Sequence, residues 1–568
     1  MIKSTIKAGC LIALFGGSTV FAQSLEEAKS AIDAEQYQKA EMTLKSLIIA
    51  QPSEAENYFY LGNLYLIKEY PDSAKATFTT GVSKDSKFPL NYVGLGAVDL
   101  YANNSSSAKT NFDKAIEEAK RKDNDPYIYA AKAYIKAPKP DYAAAVALLQ
   151  KAIEMDSKDA EAYLALGDAY RGQQKNSEAF SAYRSASDLN KALLRSQVEL
   201  GVINKGSLAW QEAIDVFNGV IKTNPNYGPA YRELAETYLR WANTATESAD
   251  YASRIKQGLA NYLKYMDLTD RSLESRMRYA DFLILAKDYK TLQQEAQEMA
   301  KLDKTNPRIY RYLGYAAYEN GNYPASLEAL NTWMSKAEKD RLHPFDYLYL
   351  GKAQMKTDTT GKGIPNIGKA LLDTTLYKDM EPSVAEQVKK GIAEQISEMA
   401  KDMHDNKKYA QAAQLYDITQ SAPNPNLVDY YYQGSSYFWD YATKYNAKQN
   451  PSKDLLVKAD TAFSMLLQRS PTTEAAWLGR VNVALQLDDE NQKALATEPY
   501  QKFIELVTVT KPELAAKYKA KLVEAYYYLG FTSVQSDPNK AKEYFNKVLE
   551  LDPANANAQQ ALKSLASQ

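Results

Sequence analysis

The chain has 568 residues, of which 45% are hydrophobic and 24% are charged, and its 69 basic and 70 acidic side chains leave a net charge near zero. This balance argues against a nucleic-acid-binding protein, because such proteins usually carry an excess or a stripe of basic residues. The only cysteine is Cys10, so a chain that loses its first residues on export has no disulfide bond, thiol nucleophile or thiolate metal site.

Residues 1–22 have the features of a secretory signal peptide. Two lysines give a basic start, residues 8–20 are uncharged and mostly apolar, and Ala22 provides a small residue at the cleavage point. A membrane anchor is the alternative, but the apolar run is shorter than the roughly 20 residues that a bilayer requires. No leucine stands three residues before Cys10, so lipid attachment is not predicted. We expect export, removal of residues 1–22 and no membrane span in the mature chain.

Small and aromatic residues then recur along the chain at a regular interval. Gly167 recurs as Gly201 and Tyr183 recurs as Phe217, which gives a period of about 34 residues and the same spacing from glycine to aromatic residue in both units. Each unit predicts two amphipathic helices joined by a short turn, because apolar residues fall at i, i+3, i+4 and i+7. Two helices approach closely only where one presents glycine or alanine, and the aromatic residue is expected to fill the gap beside that contact.

The unit resembles the tetratricopeptide repeat, with Gly or Ala at place 8, Tyr at 11, Ala at 20, Tyr or Phe at 24, Ala at 27 and Pro at 32. The resemblance implies an all-α fold, a right-handed α-solenoid (superhelix) of about 12–14 helix-turn-helix repeats with a concave groove. It implies no reaction. The clearest units begin near Ala55, Pro89, Ala160, Leu194, Gly228 and Pro307. Less regular units begin near Phe21, Asn124, Pro344, Ala393, Leu427 and Leu522, and degenerate copies cover residues 274–307 and 473–508.

One stretch, residues 356–382, interrupts the repeats with glycines, prolines and threonines. It is the candidate boundary between an N-terminal array, residues 23–355, and a C-terminal array, residues 383–568. One continuous superhelix with a long loop at this point is an equal alternative. At the end of the chain, residues 554–566 predict an amphipathic helix that caps the last repeat, because terminal repeats need a polar outer face.

Residues that catalysis or metal binding would need are present only in isolation. His343 and His404 have no other histidine or cysteine nearby, so neither has a metal-ligand spacing, and both are expected on the surface. Gly361-Lys362-Gly363 is similar to part of a phosphate-binding loop, but glycine stands where that loop needs serine or threonine. The acidic turn at residues 488–490 is expected to be solvated. We predict no enzyme activity, no cofactor and no metal site.

The groove-facing positions of tetratricopeptide repeats are places 2, 5, 9, 12 and 13, so the resemblance implies partner binding there. Tyrosine, tryptophan and arginine are enriched at binding hot spots, and an apolar groove takes a helix or an extended peptide. A superhelix wound tightly enough to bury these residues against itself is the alternative. Repeats that bind a peptide carboxylate carry lysine at place 5, where this chain has Phe59, so that binding mode is not carried over. The candidates are Phe59, Asn63, Leu66, Arg308, Arg311, Tyr315, Tyr318, Tyr431, Phe438 and Trp439.

These features predict an exported, non-enzymatic scaffold in the periplasm of a Gram-negative bacterium. It would bind a protein or peptide of the cell envelope, as a subunit of a transport, secretion or assembly complex, and no nucleic acid. The alternative is an outer-membrane-associated protein that captures glycans or other small ligands on exposed aromatic residues, with Trp241, Trp333, Trp439 and Trp477 as candidates. Capture proteins of that kind are usually lipid-anchored, and this signal peptide lacks the lipid-attachment sequence.

Overall fold

The computed structural model describes residues 24–245, 248–358, 360–422, 424–488 and 494–566, and within these ranges it contains 29 α-helices and no β-strand. The predicted all-α solenoid of helix-turn-helix repeats is confirmed. The predicted signal peptide with Cys10, and residues 489 and 490 of the acidic turn, lie outside the described residues.

Two compact units divide the chain, and the division falls inside α16. Unit 1 extends to Thr291 and includes Lys301–Asp303, whereas unit 2 comprises Leu292–Ala300 and Lys304–Gln568. The first helices of unit 1 are α1 Leu25–Asp33, α2 Tyr37–Ala50, α3 Ala55–Ile67, α4 Pro71–Lys84, α5 Leu90–Tyr101, α6 Ser105–Glu118, α7 Asp125–Lys136 and α8 Tyr142–Met155. They are followed by α9 Ala160–Gly172, α10 Asn176–Leu189, α11 Leu194–Gly206, α12 Trp210–Thr223, α13 Gly228–Ala242, α14 Ser248–Leu268 and α15 Leu273–Leu285. The helix α16 Tyr289–Leu302 is divided between the two units.

Unit 2 continues the same alternation of a first and a second helix. After its part of α16, the next eight helices are α17 Arg308–Glu319, α18 Tyr323–Lys336, α19 Pro344–Thr357, α20 Ile364–Leu372, α21 Pro382–Asp405, α22 Tyr409–Gln420, α23 Leu427–Asn446 and α24 Asp454–Arg469. The last five are α25 Glu474–Leu487, α26 Thr497–Glu505, α27 Lys519–Ser533, α28 Pro538–Leu551 and α29 Ala556–Ala566. The helix α29 covers apolar residues of α28, and its role as a cap of the array stays a prediction.

The hairpins are held together by a bulky side chain of the second helix that inserts against a small residue of the first. A Cβ atom at Gly167 would lie 2.4 Å from the Cδ1 atom of Tyr183, and one at Gly201 would lie 2.5 Å from the Cε1 atom of Phe217. Both aromatic rings are fully buried. The aromatic residue therefore packs directly on the glycine, and this contact is the physical origin of the repeat period.

The turn inside several hairpins places a residue other than glycine in the left-handed region. Glu35 and Glu69, which take the same place in successive repeats, both have a φ of 61°. The backbone explains the conformation: the N–H of Gln36 donates to the carbonyl of Ala31 at 2.8 Å, which closes the helix end in a Schellman motif. In the repeat that begins at Pro307 this position is Gly321, with a φ of 81°.

The stretch 356–382, expected to be irregular, is partly helical and lies within unit 2. A Cβ atom at Gly351 of α19 would lie 2.6 Å from the Cγ1 atom of Ile367 on α20. This pair has the same spacing along the chain as the glycine-aromatic pairs, so α20 is the second helix of the repeat that begins at Pro344. The presence of isoleucine instead of an aromatic residue concealed it. A division into two arrays at this stretch stays a prediction.

The two glycines of the segment that resembles part of a phosphate-binding loop have structural roles. Gly361 has a φ of 86°, which suits the turn before α20. A Cβ atom at Gly363 would lie 2.1 Å from the carbonyl oxygen of Gly351, so glycine permits the two backbones to approach. Lys362 pairs with Asp358 at 2.8 Å on the surface.

Unit 1 closes on itself through contacts between residues far apart in sequence. The carboxylate of Glu35, in the turn after α1, accepts hydrogen bonds from the guanidinium of Arg232 on α13 and, at 2.8 Å, from the hydroxyl of Tyr265 on α14. The backbone N–H of Gln38 donates to Asp270 at 2.8 Å. The first hairpin thus meets the seventh, and along the inner face of the unit α3, α5, α7 and α9 contact one another in turn.

Candidate functional site

A cavity of about 300 Å³ lies on this inner face between α3, α5 and α7, and we call it the unit 1 cavity. Its walls are mainly apolar. The ring of Tyr129 packs edge-on against Phe59 at 5.0 Å between centroids, and its hydroxyl lies 2.9 Å from that of Tyr60. The lining residues are Phe59, Asn63, Leu66, Ile67, Glu69, Phe78, Val93, Gly94, Ala97, Tyr101, Tyr129, Lys132, Ala133, Lys136 and Ala137.

Two lysines of α7 bring positive charge to the unit 1 cavity. The amine of Lys132 lies 2.6 Å from the carboxylate of Glu161. Burial alone would lower the pKa of Lys132, but the carboxylate of Glu161 outweighs it and the pKa is raised. Lys136 makes no ion pair or hydrogen bond with any residue in the described part of the chain. The side chain of Lys136 is exposed. The pKa of its amine is nevertheless lowered to about 8, first by desolvation among the neighbouring protein groups and then by the positive charges of Arg195 and Lys132.

In unit 2, the buried carboxylate of Asp346 organises a cluster at the start of α19, which we call the Asp346 cluster. Arg311 donates to its two oxygens at 2.8 and 2.7 Å, and the hydroxyl of Tyr315 donates at 2.8 Å. The backbone N–H of His343 donates at 2.7 Å and completes a capping box. Arg311 also lies over the ring of Trp333, 4.8 Å from its centroid. These charged and polar groups are therefore engaged with one another.

An open groove of about 440 Å³ crosses α25, α27 and α29, and we call it the C-terminal groove. Phe531 is 68% exposed there. The hydroxyl of Tyr500 donates to Glu524 at 2.8 Å, and burial, reinforced by a hydrogen bond to Asp488, raises the pKa of Tyr528 to about 12. The lining residues are Leu485, Tyr500, Ala520, Val523, Glu524, Tyr527, Tyr528, Phe531, Asn555 and Asn557.

Family models match two segments of the chain. A tetratricopeptide-repeat model matches residues 140–190 and a second matches residues 535–555, which lie in units 1 and 2 respectively. The first segment contains the contact between Gly167 and Tyr183, and the second contains Phe545, which packs on Gly530. The chain is a tetratricopeptide-repeat protein. Proteins of this family are in general non-catalytic scaffolds that bind protein or peptide partners. Among the described residues, no helix combines the length and the apolar character needed to cross a bilayer.

Sequence relatives of this tetratricopeptide-repeat protein share short segments with it. Human Superkiller complex protein 3 is 29% identical over 143 residues, which are 25% of this chain and 8% of that protein. The mouse protein of the same name is 33% identical over 95 residues, which are 17% of this chain and 6% of that protein. The match thus spans less than a tenth of the length of these curated relatives.

Solved tetratricopeptide-repeat structures are also similar to the chain. The C-terminal part of a repeat protein from Cytophaga hutchinsonii is 22% identical, covers 50% of this chain and 98% of its own, and has a TM-score of 0.29. A tetratricopeptide-repeat protein from Parabacteroides merdae is 14% identical, covers 47% of this chain and 98% of its own, and has a TM-score of 0.32.

Three of the predicted binding residues of this tetratricopeptide-repeat protein come together in unit 1. Phe59, Asn63 and Leu66 all line the unit 1 cavity. Phe59 is 2% exposed and Leu66 is 9% exposed, so only a molecule inside the cavity contacts them.

The predicted residues of unit 2 are not gathered at one place. Arg311 and Tyr315 belong to the Asp346 cluster, Arg308 lies over the ring of Tyr312, and Tyr318 packs against Tyr349. Farther along the chain, Tyr431 and Phe438 are half-buried.

Trp439 is the most exposed of the predicted residues in unit 2, at 46%, and it stacks on Tyr409. Other tryptophans proposed for ligand capture are engaged within the protein. Trp333 is 2% exposed, and the guanidinium of Arg254 covers Trp241 at 4.2 Å from the ring centroid.

Sequence reasoning missed four residues that define the two sites. Lys132 and Lys136 occupy places 9 and 13 of the unit that begins near Asn124, so the groove-facing places would have identified them. Tyr527 and Phe531 fall at places 5 and 9 only when the last unit begins one residue after Leu522. That shift puts Gly530 at place 8, where its contact with Phe545 shows that it belongs.

The two histidines, expected on the surface, are half-buried. The ring nitrogen Nδ1 of His343 accepts a hydrogen bond from the N–H of Phe345 at 3.3 Å and caps α19. Burial, with the nearby charge of Arg311, lowers the pKa of His343 to about 4. His404 contacts the hydroxyl of Ser436 at 2.8 Å, and burial lowers its pKa.

We expect His343 to make unit 2 less stable in acid. Unfolded histidine binds a proton near pH 6.5, whereas native His343 does so only near pH 4, so the unfolded state gains protons first as the pH falls. The free energy of unfolding should drop by about 2 kcal/mol between about pH 7 and about pH 4.5 from this residue. Urea unfolding of His343→Asn, which retains a capping side chain, should show a smaller drop than the wild type over the same range. Equal drops would refute the assignment.

Proposed function

We propose that this tetratricopeptide-repeat protein is an exported, non-enzymatic scaffold that binds an extended peptide or a helix of a cell-envelope protein in the C-terminal groove. The observation that supports this most is Phe531, a large apolar side chain that is 68% exposed inside a groove. Buried aromatic anchors at the centre of an interface dominate binding energy. Tyr527 and Tyr528 beside it offer amphipathic surface that suits such an interface.

The proposed location rests on the N-terminal sequence. Residues 1–22 combine a basic start, an apolar segment and a small residue at the cleavage point. A scaffold exported by this signal into a Gram-negative periplasm would meet subunits of transport, secretion or assembly complexes. To bind in the C-terminal groove, such a subunit needs an apolar side chain that packs against Phe531 and the neighbouring tyrosines. Fractionation of cells that produce the tagged chain tests the location separately from binding.

Site-specific cross-linking tests the proposed groove in intact cells. A photoreactive amino acid placed at position 531 is compared with one at position 509, because Val509 is 74% exposed but does not line the C-terminal groove. One envelope protein captured in stoichiometric amount from position 531, and not from position 509, would support the proposal. Equal capture from both positions, or capture of no envelope protein, would contradict it.

The partner identified in this way allows a quantitative prediction. Phe531→Ala should weaken its binding by roughly thirtyfold, since hot-spot residues contribute about 2 kcal/mol or more. Val509→Ala should leave the affinity within about twofold of the wild type. Thermal unfolding of both variants serves as the control and should be unchanged, because both side chains are exposed. Equal affinities of the two variants for the partner would exclude the groove as the binding site.

A further inference from the structure

The unit 1 cavity combines apolar walls with an amine that has no partner. Lys132 is neutralised by Glu161, and Arg195 is neutralised by Asp168 at 2.7 Å. Lys136 has no such carboxylate in the described part of the chain. Positive charge beside apolar surface is the arrangement that an amphipathic anion requires, because its charged head and its apolar body are satisfied at once.

We propose that the unit 1 cavity binds a small monocarboxylate with an apolar body, with its carboxylate on the amine of Lys136 and its apolar part between Phe59, Leu66 and Val93. This site is separate from the C-terminal groove, and the proposal does not depend on the function assigned there.

The size of the cavity favours a small molecule over a polypeptide. A volume of about 300 Å³ is at the lower end of the range for small-molecule sites, about 300–1,000 Å³. An extended segment would project beyond a cavity of this size, whereas a short alkyl or aryl carboxylate needs only the cavity itself.

The acidic residue at the same cavity sets the charge of the ligand. Glu69, in the turn after α3, also lines it and is exposed. A second negative charge on the ligand would meet repulsion from this carboxylate, so a monoanion is favoured over a phosphate or a dicarboxylate. The other charged groups that face Lys136 are Lys132 on α7, Glu161 and Asp168 on α9, and Arg195 on α11.

Calorimetric titration of the purified full chain with decanoate tests the site. Decanoate should bind near pH 7, and octylammonium, which has the opposite charge, should not. The carboxylate of decanoate is ionised over this whole pH range, so only the charge of Lys136 changes. Binding should therefore weaken by roughly tenfold when the pH is raised from about 7 to about 9.5 and Lys136 loses its proton. Equal binding of decanoate and octylammonium, or no binding of decanoate, would overturn the proposal.

Substitutions of the lining residues test whether decanoate binds in this cavity, and a control substitution outside it separates loss of binding from loss of folding. Lys136→Gln should lose roughly tenfold or more in decanoate affinity, and Lys136→Arg should retain most of it. Lys139→Gln, three residues along and outside the cavity, is the matched control. Ala133→Leu should also abolish binding, because the added methyl groups fill the cavity. Wild-type affinity in both Lys136→Gln and Ala133→Leu would overturn the assignment to this cavity. Tighter binding of a peptide with an apolar C-terminal residue would contradict the choice of a small molecule.

Discussion

Replacing Asp346 by asparagine is expected to lower the free energy of unfolding of unit 2 by about 3–5 kcal/mol, because it leaves a buried charge without its counter-charge. Asp346 is 0% exposed and accepts from Arg311, Tyr315 and the backbone of His343. Asparagine offers one acceptor oxygen where the guanidinium now meets two. Its amide group would also point donors at donors, so at least one buried hydrogen bond is lost.

The measurement is urea unfolding followed by circular dichroism, with hydrogen exchange of the peptides that cover α17 to α19. Asp340→Asn is the matched control, since Asp340 lies six residues upstream and is exposed. It should change the free energy of unfolding by no more than about 0.5 kcal/mol. If Asp346→Asn behaved like the control, the charge of Asp346 would not stabilise unit 2, and the role assigned to the Asp346 cluster would be wrong.

The hairpin architecture was predictable because its cause is local. A glycine and the aromatic residue that follows it at a fixed distance along the chain, as in Gly167 and Tyr183, contact each other within one hairpin. Such pairs recur with the same spacing, so the sequence alone reveals them. The candidate groove residues were harder to predict, because their exposure depends on which side chains of the next repeat pack against them. Arg311 stands at a groove-facing place, yet it is neutralised by a carboxylate 35 residues later.

The closure of unit 1 could not be predicted in this way. The hydrogen bonds of Glu35 with Arg232 and Tyr265 join residues 197 and 230 positions apart. No repeat pattern specifies them, because Glu69 occupies the same place in the next repeat without a comparable partner among the described residues. The unit 1 cavity follows from the packing of α3, α5 and α7, and Lys136 has no carboxylate partner there among the described residues. Both became visible only in three dimensions.

Phe78 is the residue whose removal we expect to damage unit 1 most. Its ring is fully buried between two repeats: Cβ atoms at Gly62 and Gly94 would lie 2.4 and 2.3 Å from its Cε1 atom. The ring also contacts Phe59, 6.1 Å away between centroids, and lines the unit 1 cavity. Phe78→Ala should lower the free energy of unfolding by about 3–5 kcal/mol, because the glycines on either side cannot fill the space that the ring leaves.

A graded series distinguishes this packing role from a general sensitivity of α4. In the repeat that begins at Pro307, Leu330 takes the bulky place against Gly314, so Phe78→Leu should retain much of the contact and cost about 1–2 kcal/mol. Thr79→Ala, at the exposed neighbouring position, should change stability by no more than about 0.5 kcal/mol. Urea unfolding should therefore rank the variants as Thr79→Ala, Phe78→Leu and Phe78→Ala in order of increasing loss. A loss in Phe78→Ala no greater than that in Thr79→Ala would mean that the glycine-aromatic contact does not hold the repeats together, and the stated origin of the repeat period would be wrong.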